Sequence, residues 1–195
     1  MILAKGSTGE QTFTANWTVN QYTITFNTDG GTKIKSITQD FGTVLPEITN
    51  PTKEGYTFAG WEEGELPETM QAENLTFTAK WSINSYEITW KNSNGETLKV
   101  EELDYGTMPS YNGSTPEKEA DKQYTYTFSH WEPVVKKVEK NQTYTAIYSK
   151  TVNQYLITFK NQNNETISTG SYPYGTDIIN VVSPEPPFQT GYKFV

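Results

Sequence analysis

Residues 19–26 read VNQYTITF, and two close variants occur later in the chain, INSYEITW at residues 83–90 and VNQYLITF at residues 152–159. In each copy the tyrosine, the isoleucine and the final aromatic residue alternate with mostly polar residues, as in a β-strand with one buried face. An aromatic-Gly-Thr triplet begins 19 positions after each tyrosine. Three equal spacings indicate an internal repeat that begins with this strand.

The later part of the unit is repeated as well. Residues 57–61 (TFAGW) match residues 127–131 (TFSHW), and residues 76–81 (TFTAKW) match residues 143–148 (TYTAIY). The second pair of segments alternates threonine with apolar or aromatic residues, which predicts a strand that closes each unit.

These matches predict the organisation of the whole chain. Residues 11–17 (QTFTANW) repeat the closing segment without the body of a unit before it. We therefore predict a leader plus the closing strand of a preceding repeat over residues 1–17, repeat 1 over 18–81, repeat 2 over 82–150 and an incomplete repeat 3 over 151–195.

Turn and proline signals complete the predicted fold. Turn residues that tolerate positive φ follow each first strand, for example Asn94-Gly95 in repeat 2. Prolines such as Pro46 and Pro51 follow the aromatic-Gly-Thr triplet and favour a loop or a short helical turn that crosses the sheet. The predicted class is mainly β with a short helical crossing (α+β), built as small tandem repeats in an elongated array.

Composition excludes several kinds of chemistry. The 195 residues contain no cysteine and no arginine, one histidine and a net charge of -8. Disulfides, thiolate zinc sites and cysteine nucleophiles are therefore impossible, and an acidic chain without arginine is not expected to bind nucleic acid. No apolar run approaches the roughly 20 residues of a membrane helix. The first residues also lack the pattern of a signal peptide.

Three residues are candidates for ligand contact. Trp61 and Trp131 could stack on a sugar ring, but both occupy the same repeat position, so core packing is the preferred interpretation. His130 precedes Trp131 and could be a pH-sensitive contact, although a half-exposed polar residue is the simpler interpretation. Carboxylates cluster at residues 62–65, 101–104 and 117–121, where solvated charge is expected. We predict no catalytic residue, no metal ligand and no cofactor.

The motifs resemble a known family. Residues 22–31 (YTITFNTDGG), the Phe41-Gly42-Thr43 turn and residues 51–61 (PTKEGYTFAGW) are similar to the Listeria–Bacteroides repeat, the internalin B-repeat family of bacterial surface proteins. Repeat 2 looks like a sister form in which His130 replaces the glycine before the tryptophan. The resemblance implies a β-grasp-like module, a mixed sheet around a short helix, in proteins attached to the cell envelope. It supplies no catalytic residues.

Three functions remain open. The first is a non-catalytic stalk, spacer or adhesive rod of a bacterial cell-surface or cell-wall protein, with secretion and anchoring signals outside this segment and no membrane insertion within it. The second is a module that binds a host glycan or protein through exposed aromatic residues. The third is an accessory domain of a secreted enzyme.

The chain ends suggest one further partner. Repeat 3 stops before its closing strand, and residues 11–17 are a closing strand without a repeat. We expect that repeat 3 could accept the N-terminal strand of another molecule in a head-to-tail self-association. The alternative is that both ends hang free or pack on their own chain.

Overall fold

A computed structural model describes residues 5–6, 8–10, 12–185 and 190–191. The chain divides into two compact units, Met1–Asn84 and Ser85–Val195. The described residues contain ten strands: β1 Gln21–Asn27, β2 Ile37–Asp40, β3 Tyr56–Trp61, β4 Leu75–Ile83, β5 Ser85–Lys91, β6 Thr97–Asp104, β7 Tyr124–Glu132, β8 Gln142–Val152, β9 Gln154–Lys160 and β10 Thr166–Pro173. The prediction of a mainly β protein with repeated sheets is confirmed.

Strands β1–β4 form one four-stranded sheet in the order β2-β1-β4-β3. The first strand, β1, pairs antiparallel with β2 and parallel with the closing strand β4, which in turn pairs antiparallel with β3. Strands β5–β8 repeat this arrangement in the order β6-β5-β8-β7, again with a parallel pair at the centre. Both sheets are therefore mixed, and in each the first strand has a neighbour on both sides.

Repeat 3 contributes a smaller sheet. Its first strand β9 pairs antiparallel with β10, and these two strands make up the whole sheet among the described residues. The same compact unit contains this hairpin and the β5–β8 sheet.

The alternation that opens each repeat builds the core. Ile24 and Phe26 project from β1 into a cluster with Met70 and Phe77. Ile88 and Trp90 occupy the equivalent places on β5, where they pack with Val138 and Tyr144. Large apolar side chains at alternate positions of a central strand thus account for much of the stability of each sheet.

The aromatic-Gly-Thr triplet is a turn that ties two distant parts of the repeat together. Gly42 and Gly106 adopt left-handed φ values of 80° and 81°, which favour glycine. The amide of Gly42 donates to the carbonyl of Met70 at 2.9 Å, and that of Gly106 donates to Val138 at 2.8 Å. Each buried core residue is thereby held against the turn.

The crossing segments differ from the expectation of a short helix. In repeats 1 and 2 the described residues between the second and third strands form no helix, and the described part of repeat 3 contains a single 3-10 turn, Ile178–Asn180. The backbone bonds to neighbouring segments instead, as when Thr32 donates to the carbonyl of Thr52 at 2.8 Å and Leu45 donates to Glu68 at 3.0 Å. These bonds and the prolines leave few amides for helical pairing. No described helix is long and apolar enough to cross a membrane.

Matched substitutions in one compact unit test the core. Ile88 is fully buried, whereas its counterpart Ile157 on β9 is half-buried. We expect Ile88→Ala to lower the free energy of unfolding by about 2–5 kcal/mol, the range for a buried isoleucine. Ile157→Ala should lower the free energy of unfolding clearly less, because a smaller part of the Ile157 side chain is buried on folding. Urea unfolding monitored by circular dichroism measures both, and equal costs would contradict the assignment.

Candidate functional site: the repeat junction

A single residue joins consecutive repeats. Strand β8 ends at Val152 and β9 begins at Gln154, so only Asn153 lies between the closing strand of repeat 2 and the first strand of repeat 3. In the same way Asn84 alone separates β4 from β5. We call this asparagine the junction residue. Asn153 lies within one compact unit, and with one residue between two strands the chain has very little freedom there.

Asn153 bonds backward to repeat 2 through three groups. Its amide donates to the carbonyl of Gln123 at 2.8 Å, and its side-chain Nδ2 donates to the carbonyl of Asp121 at 2.7 Å. Its Oδ1 accepts a bond from the hydroxyl of Thr125 at 2.7 Å. Both ends of the side-chain amide are therefore satisfied by the preceding repeat.

The same residue bonds forward to repeat 3. The carbonyl of Asn153 accepts a bond of 2.8 Å from the amide of Tyr174, the aromatic residue of the aromatic-Gly-Thr turn. Tyr155 adds a second link, because its hydroxyl donates to the carbonyl of Lys122 at 2.5 Å while its ring lies 6.2 Å from that of Tyr174. The first hairpin of repeat 3 is thus attached to the loop that precedes β7.

Two asparagines of the Met1–Asn84 unit share part of this pattern, namely Asn84, which precedes β5, and Asn20, which precedes β1. The amide of Asn84 donates to Gly55 at 2.9 Å, and its Oδ1 accepts from the hydroxyl of Thr57 at 2.6 Å. The carbonyl of Asn20 accepts from the amide of Phe41 at 2.9 Å. Asn84 thus repeats two of the three backward contacts of Asn153, and Asn20 repeats the forward contact.

Asp121 organises the loop that receives Asn153. Its Oδ1 accepts from the amides of Gln123 and Tyr124, each at 2.7 Å, and its Oδ2 accepts from the hydroxyl of Tyr126 at 2.7 Å. The hydrogen bond from Tyr126, followed by those from the two amides, lowers the pKa of Asp121 below its ordinary value. The ionised carboxylate therefore supports the carbonyls that bind the junction residue.

Trp61 lies at an irregularity of strand β3. The register of β3 against β4 shifts between Phe58 and Trp61, which gives β3 one extra residue and turns Trp61 toward the core. Its ring lies 5.3 Å from that of Phe26 and 5.1 Å from that of Phe58. Gly60, with a φ of 103°, supplies the backbone freedom for this bulge.

Trp131 occupies the equivalent place in repeat 2. The register of β7 shifts between Phe128 and His130, and the ring of Trp131 lies 4.8 Å from Trp90 and 4.9 Å from Tyr111. Both tryptophans are half-buried. The side chain of His130 is exposed, and its Nδ1 lies 3.0 Å from the hydroxyl oxygen of Ser129. Trp61 lies in the first compact unit, and His130 and Trp131 lie in the second.

The carboxylate runs serve as hydrogen-bond acceptors. Glu63 accepts from the amide of Thr78 at 2.7 Å, and this bond lowers its pKa. Partial burial raises the pKa of Glu101, but the hydrogen bonds that it accepts from Lys99 at 2.7 Å and from the indole of Trp90 at 2.9 Å act in the opposite direction. The pKa of Glu101 is therefore lowered overall. The general acid of a glycosidase needs a raised pKa, whereas the pKa values of Glu63 and Glu101 are both lowered. Within the described ranges no group of three or more His, Asp or Glu residues could hold a metal ion.

One open groove lies beside the closing strand of repeat 2. It has a volume of about 390 Å³ and is lined by Ile88, Val138 and Tyr144 together with the lysines of residues 136–140. Its floor belongs to the core cluster, and its rim carries positive charge in an acidic chain. The positive charge of this rim can attract anions, but it does not select one kind of anion over another.

Sequence patterns did not reveal some structural residues. Met70 and Val138 are fully or almost fully buried and bond to the aromatic-Gly-Thr turns, but the segments around them differ between the repeats. Asp121 also escaped notice, because it lies in a charged run that reads as solvated surface. The junction asparagines did leave a signal, since an asparagine precedes each first strand by one position.

Small mixed sheets, joined by single-residue asparagine junctions, define a tandem-repeat β protein. Comparison with known families agrees, because the Listeria-Bacteroides repeat domain matches residues 22–82 and 155–195. The chain belongs to the Listeria-Bacteroides repeat domain family. Repeat 2 lies outside the matched residues, although its sheet has the same strand order as that of repeat 1.

Several known proteins are similar to this chain. A protein of Evansella cellulosilytica named "Putative membrane protein" is 30% identical over 94% of this chain and 29% of its own length. Internalin H of Listeria monocytogenes is 34% identical over 56% of this chain and 20% of its own length. The chain thus spans less than a third of these relatives. Streptococcal SHIRT domains 3-4 from a cell surface protein match 68% of this chain and 99% of their own, at 13% identity and a TM-score of 0.28.

Removing the junction side chain should loosen repeat 3. In Asn153→Ala the bonds to Asp121 and Thr125 are lost, and about 1–3 kcal/mol of stabilisation with them. Hydrogen exchange should then accelerate at the amides of β9 and β10. Asn163→Ala, an exposed position in the β9–β10 turn, is the matched control. Equal exchange in the two variants would show that the junction side chain is dispensable.

Acid should weaken the same junction. The pKa of Asp121 is lower in the folded protein, so its stabilising effect is complete above the ordinary carboxyl range and is lost as pH falls through the lowered value. We expect the protection of the β9 and β10 amides, measured against the intrinsic exchange rate at each pH, to fall below about pH 4. Asp121→Asn should flatten this pH dependence, because the amide does not ionise. An unchanged pH profile in Asp121→Asn would contradict this role.

Proposed function

We propose that this chain is a non-catalytic spacer segment of a bacterial surface protein, in which tandem repeats hold neighbouring domains apart. The observation that carries the proposal is Asn153, which bonds to the repeat before it and to the repeat after it. A binding or catalytic domain has no need for such a feature at a repeat boundary. A spacer needs it, because bending at every boundary would shorten the reach of the array.

The physical reason is the small freedom of the linker. A flexible linker of several residues lets domains swing, and the end-to-end distance then grows only with the square root of length. At Asn153 one residue joins two strands, and hydrogen bonds to both repeats restrain it. A repeat array stabilised by nearest-neighbour contacts can extend without a common core. These properties support an extended array whose length depends on the number of repeats.

The surface location is part of this proposal. The family assignment supports it, as do relatives named Internalin H and "Putative membrane protein". The absence of cysteine is compatible with a bacterial surface module that relies on aromatic cores in place of disulfides.

An adhesive role is the alternative. Trp61 and Trp131 pack against rings of their own cores, so stacking on a sugar would use only their exposed edges. The lysine-rimmed groove of repeat 2 is the more accessible surface. A glycan array that includes acidic polysaccharides tests this alternative. Saturable binding that is lost in Lys136→Ala/Lys140→Ala would favour adhesion over a pure spacer.

The spacer proposal is tested by small-angle X-ray scattering at low protein concentration. We expect an elongated particle, and a compact globule would refute the proposal. A second measurement places spin labels at Thr127→Cys and Lys160→Cys, which is straightforward because the chain has no cysteine. Inserting Gly-Ser-Gly-Ser after Asn153 should broaden the distance distribution. The same insertion after Asn163, within a turn, should leave it narrow.

A further inference from the structure

The chain contains two Asn-Gly pairs, and both lie in repeat 2, at Asn94-Gly95 and Asn112-Gly113. In such a pair the glycine nitrogen can attack the side-chain amide carbon of the asparagine, because no Cβ on the glycine hinders the approach. The reaction releases ammonia and leaves a carboxylate in place of the amide. Both pairs are exposed, so solvent access does not distinguish them.

The first pair is held in a hydrogen-bonded turn. The amide of Gly95 donates to the carbonyl of Asn92 at 2.9 Å, and the side-chain Oδ1 of Asn94 accepts from the amide of Glu96 at 3.0 Å. The attacking nitrogen must give up its proton, so the bond of Gly95 must break before the reaction. The bond to Glu96 restrains the asparagine side chain as well. The turn therefore protects Asn94.

The second pair lies in the loop between β6 and β7 and has the opposite arrangement. The amide of Gly113 donates no hydrogen bond to another described residue. The Oδ1 of Asn112 accepts from the ammonium of Lys99 at 3.0 Å. A cation at this oxygen stabilises the negative charge that develops on it when the amide carbon is attacked.

Lys99 is held in position by its neighbours on β5 and β6. Its Nζ lies 2.7 Å from one carboxylate oxygen of Glu101, and the other oxygen accepts from the indole of Trp90 at 2.9 Å. The side chains of Lys99 and Glu101 are only 26% and 21% exposed. Partial burial strengthens the interaction of the ammonium with the Asn112 oxygen, compared with a freely solvated lysine.

Packing explains why a glycine occupies position 113. A Cβ there would lie 2.6 Å from the Cζ atom of Tyr111, a contact that is too short unless the ring moves. The ring of Tyr111 is fixed in turn by Trp90, at 5.6 Å, and by Trp131, at 4.9 Å. The aromatic cluster thus requires the residue that leaves Asn112 open to attack.

We propose that Asn112 is a site of spontaneous deamidation in the folded protein, with Gly113 as the nucleophile and Lys99 as the positioned cation. The nitrogen of Gly113 forms a bond to Cγ of Asn112 and gives up its proton, and the side-chain nitrogen leaves as ammonia. Water then adds to one of the two carbonyls of the resulting succinimide and breaks one carbon–nitrogen bond. The product is aspartate or isoaspartate.

The modification changes the surface of repeat 2 in two ways. It adds a negative charge beside Lys99, which already pairs with Glu101, in a chain of net charge -8. Isoaspartate also lengthens the main chain by one carbon atom between Tyr111 and Gly113, next to the aromatic cluster. The loop over this cluster therefore changes with the age of the protein, independently of the spacer role.

Lys99 is a second nucleophile within reach of the same side chain. Attack by its nitrogen on Cγ of Asn112 would release ammonia and form an amide cross-link between the two residues. As the ion-pair partner of Glu101, however, Lys99 carries an ammonium group, which has no lone pair for attack. The contacts therefore favour Gly113 as the nucleophile, and the two reactions give products of different mass.

Peptide mapping by mass spectrometry of the 195-residue chain, aged at neutral pH, tests the site. We expect the peptide with Asn112 to deamidate at least about tenfold faster than the peptide with Asn94, a difference of about 1.4 kcal/mol in activation free energy. In urea the two rates should become similar, because the fold no longer distinguishes the pairs. Equal rates in the folded protein, no conversion at Asn112, a ratio that persists in urea, or a cross-link from Lys99 to Asn112 would overturn the proposal.

Variants at Lys99 test the role of the cation. Lys99→Met should slow deamidation at Asn112 by about tenfold, since it removes a positioned donor to the developing oxyanion. Lys99→Arg, which retains a charged donor, should keep most of the rate. Lys137→Met, at an exposed lysine of the same repeat, is the matched control, and circular dichroism checks the folding of each variant. Equal rates at Asn112 in Lys99→Met and Lys137→Met would show that Lys99 has no such role.

Discussion

Parallel pairing between the first and the closing strand is the constraint on which repeats 1 and 2 depend. The two strands are far apart in sequence, yet they lie side by side at the centre of the sheet and carry the large buried side chains. Parallel neighbours require a long connection between them. The hairpin partner, the crossing segment and the third strand all fall within that connection, so the pairing determines where every other element lies.

The junction follows from the same arrangement. Because the closing strand of one repeat occupies a central position, it emerges beside the loop before the third strand of its own repeat. There a single asparagine can bond to that loop and to the turn of the next repeat, as Asn153 does. An asparagine suits the position since its side chain offers a donor and an acceptor while its backbone supplies one more of each. Serine or aspartate at this position would provide only some of these donors and acceptors.

Much of the fold could be predicted from the sequence because repetition amplified weak patterns. The alternation around Tyr22, Tyr86 and Tyr155 indicated the first strands, and equal spacing indicated the turns. The prediction of a short helix in the crossing segment was wrong for the described parts of repeats 1 and 2. Proline content alone cannot distinguish a loop with long-range hydrogen bonds from a short helix. The bulge before Trp61 was also missed, because one extra residue in a strand changes the facing of a side chain without altering local composition. Asp121 depends on tertiary contacts that no local pattern encodes.

The placement of the central strands also has a mechanical consequence. Chain enters a repeat at the start of the first strand and leaves it at the end of the closing strand, and these adjacent strands run in the same direction. A pull applied through the neighbouring repeats would therefore load the hydrogen bonds between them in shear, all at once. Bonds loaded in this way resist together, whereas a hairpin pulled from its open end yields one pair at a time.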